Sequence, residues 1–253
     1  HPKRQLAYLR WSTRHNGRSA ARIIADSQAT KTDLIQLDHI PAAKIDVVYP
    51  GIDPALAPVR DEGRITAVLH KYGITPPYFL TLGTLQPRKN LVRLVQAFCQ
   101  SGVPHQLVLA GKPGWLSQPI LEAIDNWQLP IDNCQFILPG YIEDTDKPAL
   151  LSAAAALLFP SLYEGFGFPA LEAQACGTPV LTANTSSMPE VVGGAAILVD
   201  PLDTTAIASA IQNLAENHEL CQQLIQKGFE NVKRFTWQET AVHVLHTLES
   251  CPP

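Results

Sequence analysis

Short apolar runs alternate with helical patterns along most of this sequence, and that alternation is the feature that most restricts its fold. Strands buried on both faces are apolar throughout, whereas amphipathic helices are apolar on one side only. The alternation indicates an α/β fold in which a doubly wound parallel sheet is flanked by helices. The predicted strands are Arg22–Ala25, Asp46–Tyr49, Tyr78–Leu82, Gln106–Ala110, Gln135–Leu138, Ala156–Phe159, Val180–Thr182 and Ala196–Val199.

Proline and glycine residues divide the chain into regions. They are frequent in Pro50–Pro77, which predicts a linker there without a long periodic element. Residues 1–50 then form the end of one domain and are too few for an independent α/β core. We assign residues 51–77 to the linker and the start of the second domain, 78–235 to a complete ligand-binding domain, and 236–253 to a terminal helix and tail. Helices are predicted to begin near Lys3, Thr30, Asn90, Ser117, Asp146, Pro169, Thr204, His218 and Trp237.

The composition argues against several classes of protein. With 46% apolar and 17% charged residues in 253, the chain has the composition of a globular protein. Its net charge of −4 argues against a nucleic-acid partner, because binding a phosphate backbone requires an excess of Lys and Arg. The five cysteines are scattered without a close pair, which disfavours a zinc or redox motif and fits a reducing, cytoplasmic location.

The N-terminal segment has a charge of its own. Residues 1–18 contain no acid and five basic residues, Lys3, Arg4, Arg10, Arg14 and Arg18. A basic helix can lie on the anionic inner face of a membrane, and the alternative is an ordinary solvated helix face. The chain starts at His1 and its one methionine is Met188, so we expect it to be part of a longer protein.

The segment Pro160–Pro179, PSLYEGFGFPALEAQACGTP, has the pattern of a strand end, a glycine-rich turn and a helix. Gly165 and Gly167 can adopt backbone angles closed to other residues, and Pro169 suits a first helical turn. Their N–H groups are therefore expected to converge at the helix N-terminus, where the helix dipole also favours an anion. This segment predicts a cradle for a phosphate or diphosphate.

Two carboxylates accompany that cradle. Glu164 is expected at its rim, and Glu172 one turn inside the helix. Because carboxylates repel phosphate, we assign both to the hydroxyl groups of a sugar or ribose. The alternative is that Glu172 only complements the helix dipole and Glu164 is a surface acid.

A second polar segment follows the predicted strand Tyr78–Leu82. It runs from Gly83 to Asn90 and presents Arg88 and Lys89 before the next helix. Ligands of open α/β sheets bind at the carboxyl ends of the strands, and two cations there would neutralise a diphosphate leaving group. We predict that this pair and the amides of Gly165–Gly167 converge on one pyrophosphate pocket, the alternative being solvated surface charges.

These two segments and their order resemble the family 4 glycosyltransferases, retaining enzymes with two facing Rossmann-like domains. The most specific feature is the pair Glu164 and Glu172, which are separated by seven residues within EGFGFPALEA. The resemblance implies that residues 1–50 are a truncated part of a second Rossmann-like domain. The matching segments are Ser27–Leu34, Val48–Asp53, Leu82–Asn90, Gly140–Ile142, Pro160–Pro179, Ser186–Val191 and Phe235–Trp237.

The resemblance also implies roles for single residues. Arg88 and Lys89 match the diphosphate-binding pair, Glu164 the contact to the donor sugar and Glu172 the ribose-binding acid, and Glu164, Arg88 and Lys89 are the implied catalytic residues. Tyr141 and Ile142 lie where the family places its nucleobase. The other implied donor-binding residues are Gly83, Gly165, Phe166, Gly167, Ser186 and Ser187. No metal and no cofactor are implied, because the cations and the helix dipole take over the role of a metal.

The implied reaction is transfer of a hexose, with retained configuration, from a nucleoside diphosphate sugar to a glycan or a lipid-linked acceptor. Ser186-Ser-Met-Pro-Glu190 favours GDP-mannose as donor, and UDP-glucose-type donors stay open. Since transfer needs both domains to close around the reactants, we expect the chain alone to be close to inactive. The alternatives are an inactive nucleotide-binding fragment, and a dinucleotide-dependent oxidoreductase, which the absence of a third glycine after Gly165 and Gly167 disfavours.

Overall fold

The computed structural model describes the backbone of residues 3–128 and 135–251 and the side chains within residues 7–126 and 135–251. The helices are α1 (Lys3–Ser19), α2 (Gln28–Asp38), α3 (Glu62–Tyr72), α4 (Leu91–Ser101), α5 (Gln118–Gln128), α6 (Lys147–Ala153), α7 (Phe168–Ala175), α8 (Met188–Val192), α9 (Thr204–Glu216), α10 (His218–Val232) and α11 (Trp237–Glu249). The strands are β1 (Ile23–Ala25), β2 (Ile45–Val47), β3 (Tyr78–Leu82), β4 (Gln106–Ala110), β5 (Gln135–Gly140), β6 (Ala156–Phe159), β7 (Val180–Ala183) and β8 (Ile197–Val199). Two short 3-10 turns cover Ala42–Lys44 and Pro87–Lys89.

The chain divides into two compact units. The first combines His1–Gly51 with Phe235–Pro253, and the second is the continuous segment Ile52–Arg234. In the first unit β1 and β2 form a parallel pair, and α11 is attached to the end of β2 by two hydroxyl groups. Thr240 Oγ1 donates to the Tyr49 carbonyl at 2.9 Å, and Thr247 Oγ1 donates to Asp46 Oδ2 at 3.1 Å.

The second unit contains a six-stranded sheet in the order β5-β4-β3-β6-β7-β8, and every pairing in it is parallel. All five residues of β3 are buried, because helices cover both faces of the sheet with apolar side chains. This architecture confirms the predicted fold class of a doubly wound parallel sheet with flanking helices.

The strand order places the topological switch point between β3 and β6. From β3 the chain continues outward through β4 and β5 to one edge of the sheet, then returns to β6 on the other side of β3 and continues to β8. The loops after β3 and β6 therefore lie at the switch point, which is where ligands of such sheets bind.

One expectation about the interdomain segment was wrong. Pro50–Pro77 was predicted to lack a long periodic element, yet it contains the eleven-residue helix α3. The Asp61 carboxylate caps this helix by accepting from the Arg64 amide, and Gly73 ends it in the left-handed conformation. Val68 and Leu69 are buried in the core, so α3 is an integral part of the second unit.

Helix α8 was also missing from the predicted helices. It is only five residues long, from Met188 to Val192, and it is followed by Gly193 in the left-handed conformation. None of the helices in the described part of the chain is long and apolar enough to cross a bilayer.

Candidate functional site

Two loops meet at the switch point between β3 and β6. The loop after β3 contains the 3-10 turn Pro87–Lys89, and the loop after β6 leads through Glu164 to α7. The Leu162 amide donates to the Arg88 carbonyl at 2.8 Å, so the main chains of the two loops are in direct contact. Both predicted polar segments therefore lie at the place where the fold favours a ligand.

Glu164 forms ion pairs with both predicted cations. Its Oε2 lies 2.5 Å from Arg88 Nη1, and its Oε1 lies 2.9 Å from Lys89 Nζ. The side chains of Glu164 and Lys89 are buried, whereas that of Arg88 is 41% exposed. Glu164 was expected at the rim of the cradle, and that expectation was wrong, because the neighbouring cations compensate its charge in the interior.

Lys89 is held in an unusual environment for a lysine. Its Nζ lies 4.1 Å from the centre of the Phe159 ring, a cation–π contact. Burial lowers the pKa of Lys89 below the ordinary value of 10.5, and the charge of Glu164 opposes that shift. The Glu164 Oε1 atom is within ion-pair distance of Nζ but has no hydrogen bond of good geometry within the described residues. The contact between Glu164 and Lys89 is therefore an electrostatic one.

The serine loop before α8 supports the glycine-rich turn. The Glu164 amide donates to Ser186 Oγ at 3.1 Å, and Ser187 Oγ lies 3.0 Å from the Glu164 carbonyl and 2.8 Å from the Phe166 carbonyl, to which it donates. Ser187 is fully buried, so its hydroxyl contacts the glycine-rich turn from the interior of the protein. Ser187 faces the interior, and the placement of both serines near the phosphates stays a prediction.

The two glycines of the turn differ in conformation. Gly167 has a φ of 104° and precedes α7, and a Cβ there would collide with the Met188 side chain. Gly165 is not in the positive-φ region, so the expectation that both glycines need special angles holds for Gly167 alone. Pro169 lies in the first turn of α7 as predicted.

A pocket of about 420 Å³ opens at the carboxyl ends of β3, β4 and β5. Glu172 lines it and forms an ion pair with Lys147 at 3.0 Å, and Lys147 also lies 3.3 Å from Asp144. Burial alone would lower the pKa of Lys147, but Glu172 and Asp144 outweigh that effect and raise it. The pocket is lined by Leu82, Gly83, Thr84, Ala110, Gly111, Lys112, Tyr141, Ile142, Asp144, Lys147, Phe168, Pro169 and Glu172.

The predicted site residues thus fall into two neighbouring groups. Gly83, Tyr141, Ile142 and Glu172 line the pocket, whereas the other group surrounds Glu164 beside it. Gly83 connects the two groups, since a Cβ on this residue would lie 3.3 Å from Lys89 Cε and Nζ. The second group consists of Arg88, Lys89, Glu164, Gly165, Phe166, Gly167, Ser186 and Ser187.

Sequence reasoning missed Lys112, Asp144 and Lys147. The Lys112 ammonium lies 4.9 Å from the centre of the Tyr141 ring, at the mouth of the pocket. The sequence did contain a signal for Lys147. A cation in the first turn of a helix is repelled by the positive end of the helix dipole, so it needs an anionic partner. That partner is Glu172, whose distance in sequence hides the pairing.

Fold and site together define an α/β protein with a charged, partly buried crevice at its topological switch point. Residues 69–231 match the family described as Glycosyl transferases group 1, and residues 1–56 match the family described as Glycosyltransferase Family 4. The chain therefore belongs to the group 1 glycosyl transferases, as the sequence resemblance implied.

Named relatives agree with this assignment. An O-antigen chain mannosyltransferase B from Escherichia coli is 32% identical over 97% of this chain and 65% of its own length. A GDP-mannose-dependent alpha-(1-6)-phosphatidylinositol dimannoside mannosyltransferase from Mycobacterium tuberculosis is 30% identical over 84% of this chain and 54% of its own length. The chain spans less than two thirds of the length of either relative.

A solved structure shares the fold. Alr3699/HepE from Anabaena, in complex with UDP-glucose, superposes with a TM-score of 0.82 at 24% sequence identity. The match covers 96% of this chain and 67% of that protein. At this identity the likeness is one of fold.

Proposed function

We propose that this chain is the donor-binding part of a retaining glycosyltransferase that moves a hexose from a nucleoside diphosphate sugar to a glycan or lipid-linked acceptor. The observation that carries the proposal is the group formed by Arg88, Lys89 and Glu164 at the switch point, next to an open pocket lined by Glu172. Two cations against one carboxylate leave a net positive charge for a diphosphate.

Each part of a nucleotide sugar has a matching group around the pocket. Arg88 is the more exposed cation, so we propose that it turns towards the diphosphate while Lys89 stays beneath it. The Glu172 carboxylate can accept hydrogen bonds from ribose hydroxyls and keep its pairing with Lys147. The exposed ring of Tyr141, with Ile142 below it, offers an apolar surface for a nucleobase.

Mannose from GDP-mannose is the donor we favour. The Escherichia coli relative is a mannosyltransferase by name, and the Mycobacterium tuberculosis relative is GDP-mannose-dependent by name. UDP-glucose is the competing donor, since Alr3699/HepE was crystallised with it. As acceptor we favour a glycan, since the Escherichia coli relative is an O-antigen chain mannosyltransferase by name.

The proposed step breaks the bond between the anomeric carbon and the diphosphate oxygen, and the electron pair leaves with the diphosphate. The acceptor oxygen bonds to the same face of the anomeric carbon, and its proton passes to the departing diphosphate. Arg88 and Lys89 stabilise the negative charge that develops on the leaving group. Within the described residues no group of three or more His, Cys, Asp or Glu could hold a metal, and the absence of a metal requirement remains a prediction.

Calorimetric titration of the chain with GDP, UDP and ADP tests donor binding. We expect weak but measurable binding, with GDP the tightest, because the site is assembled within one unit. A folded sample that releases no heat with any of the three at millimolar concentration would contradict the proposal. A transfer assay with GDP-mannose run on the same sample separates an active enzyme from the alternative, an inactive nucleotide-binding fragment.

A second proposal concerns α1, which we suggest meets an anionic membrane surface. Tyr8 and Trp11 are 63% and 61% exposed, and the Trp11 ring stacks on His15 with centres 5.3 Å apart. Aromatic rings beside cations are typical of surfaces that contact the lipid headgroups. The basic side chains described on this helix, all exposed, are those of Arg10, Arg14 and Arg18, of which Arg14 also pairs with Asp38.

Sedimentation with lipid vesicles tests this surface. We expect the chain to pellet with vesicles containing phosphatidylserine and to stay in solution with pure phosphatidylcholine. Replacing Tyr8 and Trp11 by Ala should abolish pelleting, whereas Trp237→Ala, an exposed Trp on α11, should not. Equal pelleting of all three proteins would contradict the proposal.

A further inference from the structure

Asn90 connects the 3-10 turn Pro87–Lys89, which we call the cation turn, to helix α4. It directly follows Lys89 and has φ 59° and ψ 29°, a left-handed conformation that asparagine tolerates better than most residues. Its amide donates to the Pro87 carbonyl at 3.0 Å, and its carbonyl accepts from the Leu94 amide at 3.0 Å. Asn90 therefore closes the 3-10 turn with its backbone N–H and starts α4 with its backbone carbonyl.

The Asn90 side chain connects three parts of the chain. Its Nδ2 donates to the Pro160 carbonyl at 3.1 Å and to the Pro201 carbonyl at 2.6 Å. Its Oδ1 accepts from Arg93 Nη1 at 2.7 Å, and the residue is only 6% exposed. Both hydrogens and the oxygen of the side-chain amide thus form hydrogen bonds, and breaking these bonds would leave buried polar groups without a partner, which is costly.

The two proline carbonyls belong to the loops that surround the cation pair. Pro160 directly follows β6 and stands four residues before Glu164, and Pro201 follows β8. The Leu162 amide bonds to the Arg88 carbonyl between these points. The position of Arg88 and Lys89 relative to Glu164 therefore depends on a short chain of contacts that starts at the Asn90 amide.

We infer that Asn90 is a positioning residue, which sets the cation pair against Glu164 and thereby determines affinity for the diphosphate part of the donor. This inference rests on the proposed donor-binding function. Asn90 does not itself line the pocket, so its effect acts through Arg88 and Lys89. A purely structural asparagine would lower stability without affecting one part of the ligand selectively.

The chain offers a matched control for that structural role. Asn231 is 7% exposed, its Nδ2 donates to Gln174 Oε1 and to the Val191 carbonyl, both at 2.8 Å, and its Oδ1 accepts from Arg234 Nη1 at 2.8 Å. It thus makes the same set of bonds as Asn90, including one to an arginine three residues later. Asn231 joins α10 to α7 and α8, and none of these bonds goes to the turn Pro87–Lys89.

The experiment compares nucleoside diphosphates with their nucleosides. Binding of GDP and guanosine, and in parallel of UDP and uridine, is measured on the wild-type chain, on Asn90→Gly and on Asn231→Ala. Glycine keeps the left-handed backbone and removes all three side-chain bonds, and Ala suits the helical position 231. We expect Asn90→Gly to lose about ten-fold in affinity for the diphosphate and to leave nucleoside affinity unchanged. Asn231→Ala should keep the wild-type ratio of the two affinities.

The outcomes separate this inference from the proposed function. If the wild-type chain binds GDP and UDP no better than guanosine and uridine, the proposed function fails. If it prefers the diphosphates and Asn90→Gly keeps the full preference, or Asn231→Ala loses it equally, the positioning role of Asn90 is overturned.

Thermal unfolding establishes that each variant is folded at the temperature of the titration. Should Asn90→Gly be unfolded there, Arg93→Met takes its place, because it leaves Asn90 intact and removes only the bond to Oδ1. This milder variant should reduce the diphosphate preference in the same direction by a few-fold. A folded Arg93→Met with an unchanged preference then counts against the inference.

Discussion

Glu164 and Glu172 are both ion-paired carboxylates of the candidate site, and their surroundings are opposite. Glu164 and Lys89 have side-chain exposures of 7% and 8% and lie beneath the switch point, whereas Glu172 and Lys147 are 16% and 23% exposed and face an open pocket. Separating a buried ion pair leaves an uncompensated charge in the interior, so the pair stays together. An ion pair at the solvent edge can exchange partners at little cost, because water solvates the separated charges. Burial thus separates a carboxylate that organises the site from one that is available to a ligand.

The largest effect is expected from Glu164→Gln. This change leaves the Lys89 ammonium buried without its anion, and breaking such a buried pair costs about 3–5 kcal/mol. Urea unfolding should show a loss of stability of that order. Glu230→Gln, which breaks the exposed pair with Lys233, serves as control and should change stability by less than about 1 kcal/mol. Equal losses in the two variants would remove the distinction between buried and exposed pairs.

Lys89→Met should have the next largest effect, on binding. Methionine fills the space over the Phe159 ring but cannot attract phosphate, so GDP affinity should fall about 100-fold, or about 2.7 kcal/mol. Calorimetry measures the loss. The control Lys233→Met replaces an exposed lysine directly after α10, and it should leave the affinity for GDP unchanged. Wild-type affinity in Lys89→Met would show that this lysine has no part in binding the diphosphate.

Glu172→Gln should weaken nucleotide binding by about ten-fold, since a neutral amide accepts ribose hydrogen bonds less strongly than a carboxylate. The loss should be smaller for a 2′,3′-dideoxynucleotide, which has no ribose hydroxyls to donate. Titrating the wild-type chain and Glu172→Gln with both nucleotides measures how much of the loss depends on the ribose hydroxyls. The same ten-fold loss for both nucleotides would mean that Glu172 acts through Lys147 and not on the ribose.

The smallest effect is a shift in pH dependence. Because burial lowers the pKa of Lys89, its ammonium is lost at a lower pH than that of an exposed lysine, and GDP affinity should fall as the pH rises through that value. Between the folded and unfolded pKa values the unfolded chain binds the extra proton, so the free energy of unfolding should rise with pH in that window. In Lys89→Arg the guanidinium stays charged, and the alkaline decrease in affinity should disappear. An identical decrease in both proteins would assign it to another group.

The interior of the sheet was the most predictable part of the molecule. The bounds of β3, β4 and β6 agree with the sequence prediction, because fully buried strands consist of unbroken apolar runs. Helix α3 was not predicted, because the prolines and glycines on both sides of it indicated a linker. Asp61 and Gly73 nevertheless have the residue types of an N-cap and a C-cap.

The sequence pointed to part of the candidate site, and it did not show how the charged side chains pair. Arg88, Lys89 and Glu164 were named from their places in the two segments. That Glu164 is buried against both cations depends on β3 and β6 being neighbours, a fact of strand order that local pattern does not contain. For the same reason the partnership of Glu172 with Lys147, 25 residues apart, became visible only in three dimensions.

The first unit is made from the two ends of the chain, and this has a consequence during synthesis. Hydrogen bonds join Thr240 to Tyr49 and Thr247 to Asp46, residues that the ribosome produces 191 and 201 positions apart. The continuous segment Ile52–Arg234 can acquire its native contacts while translation is still under way. β1 and β2 are not joined to α11 until that helix emerges, so a ribosome stalled before Trp237 would hold the completed second unit beside an incomplete first unit.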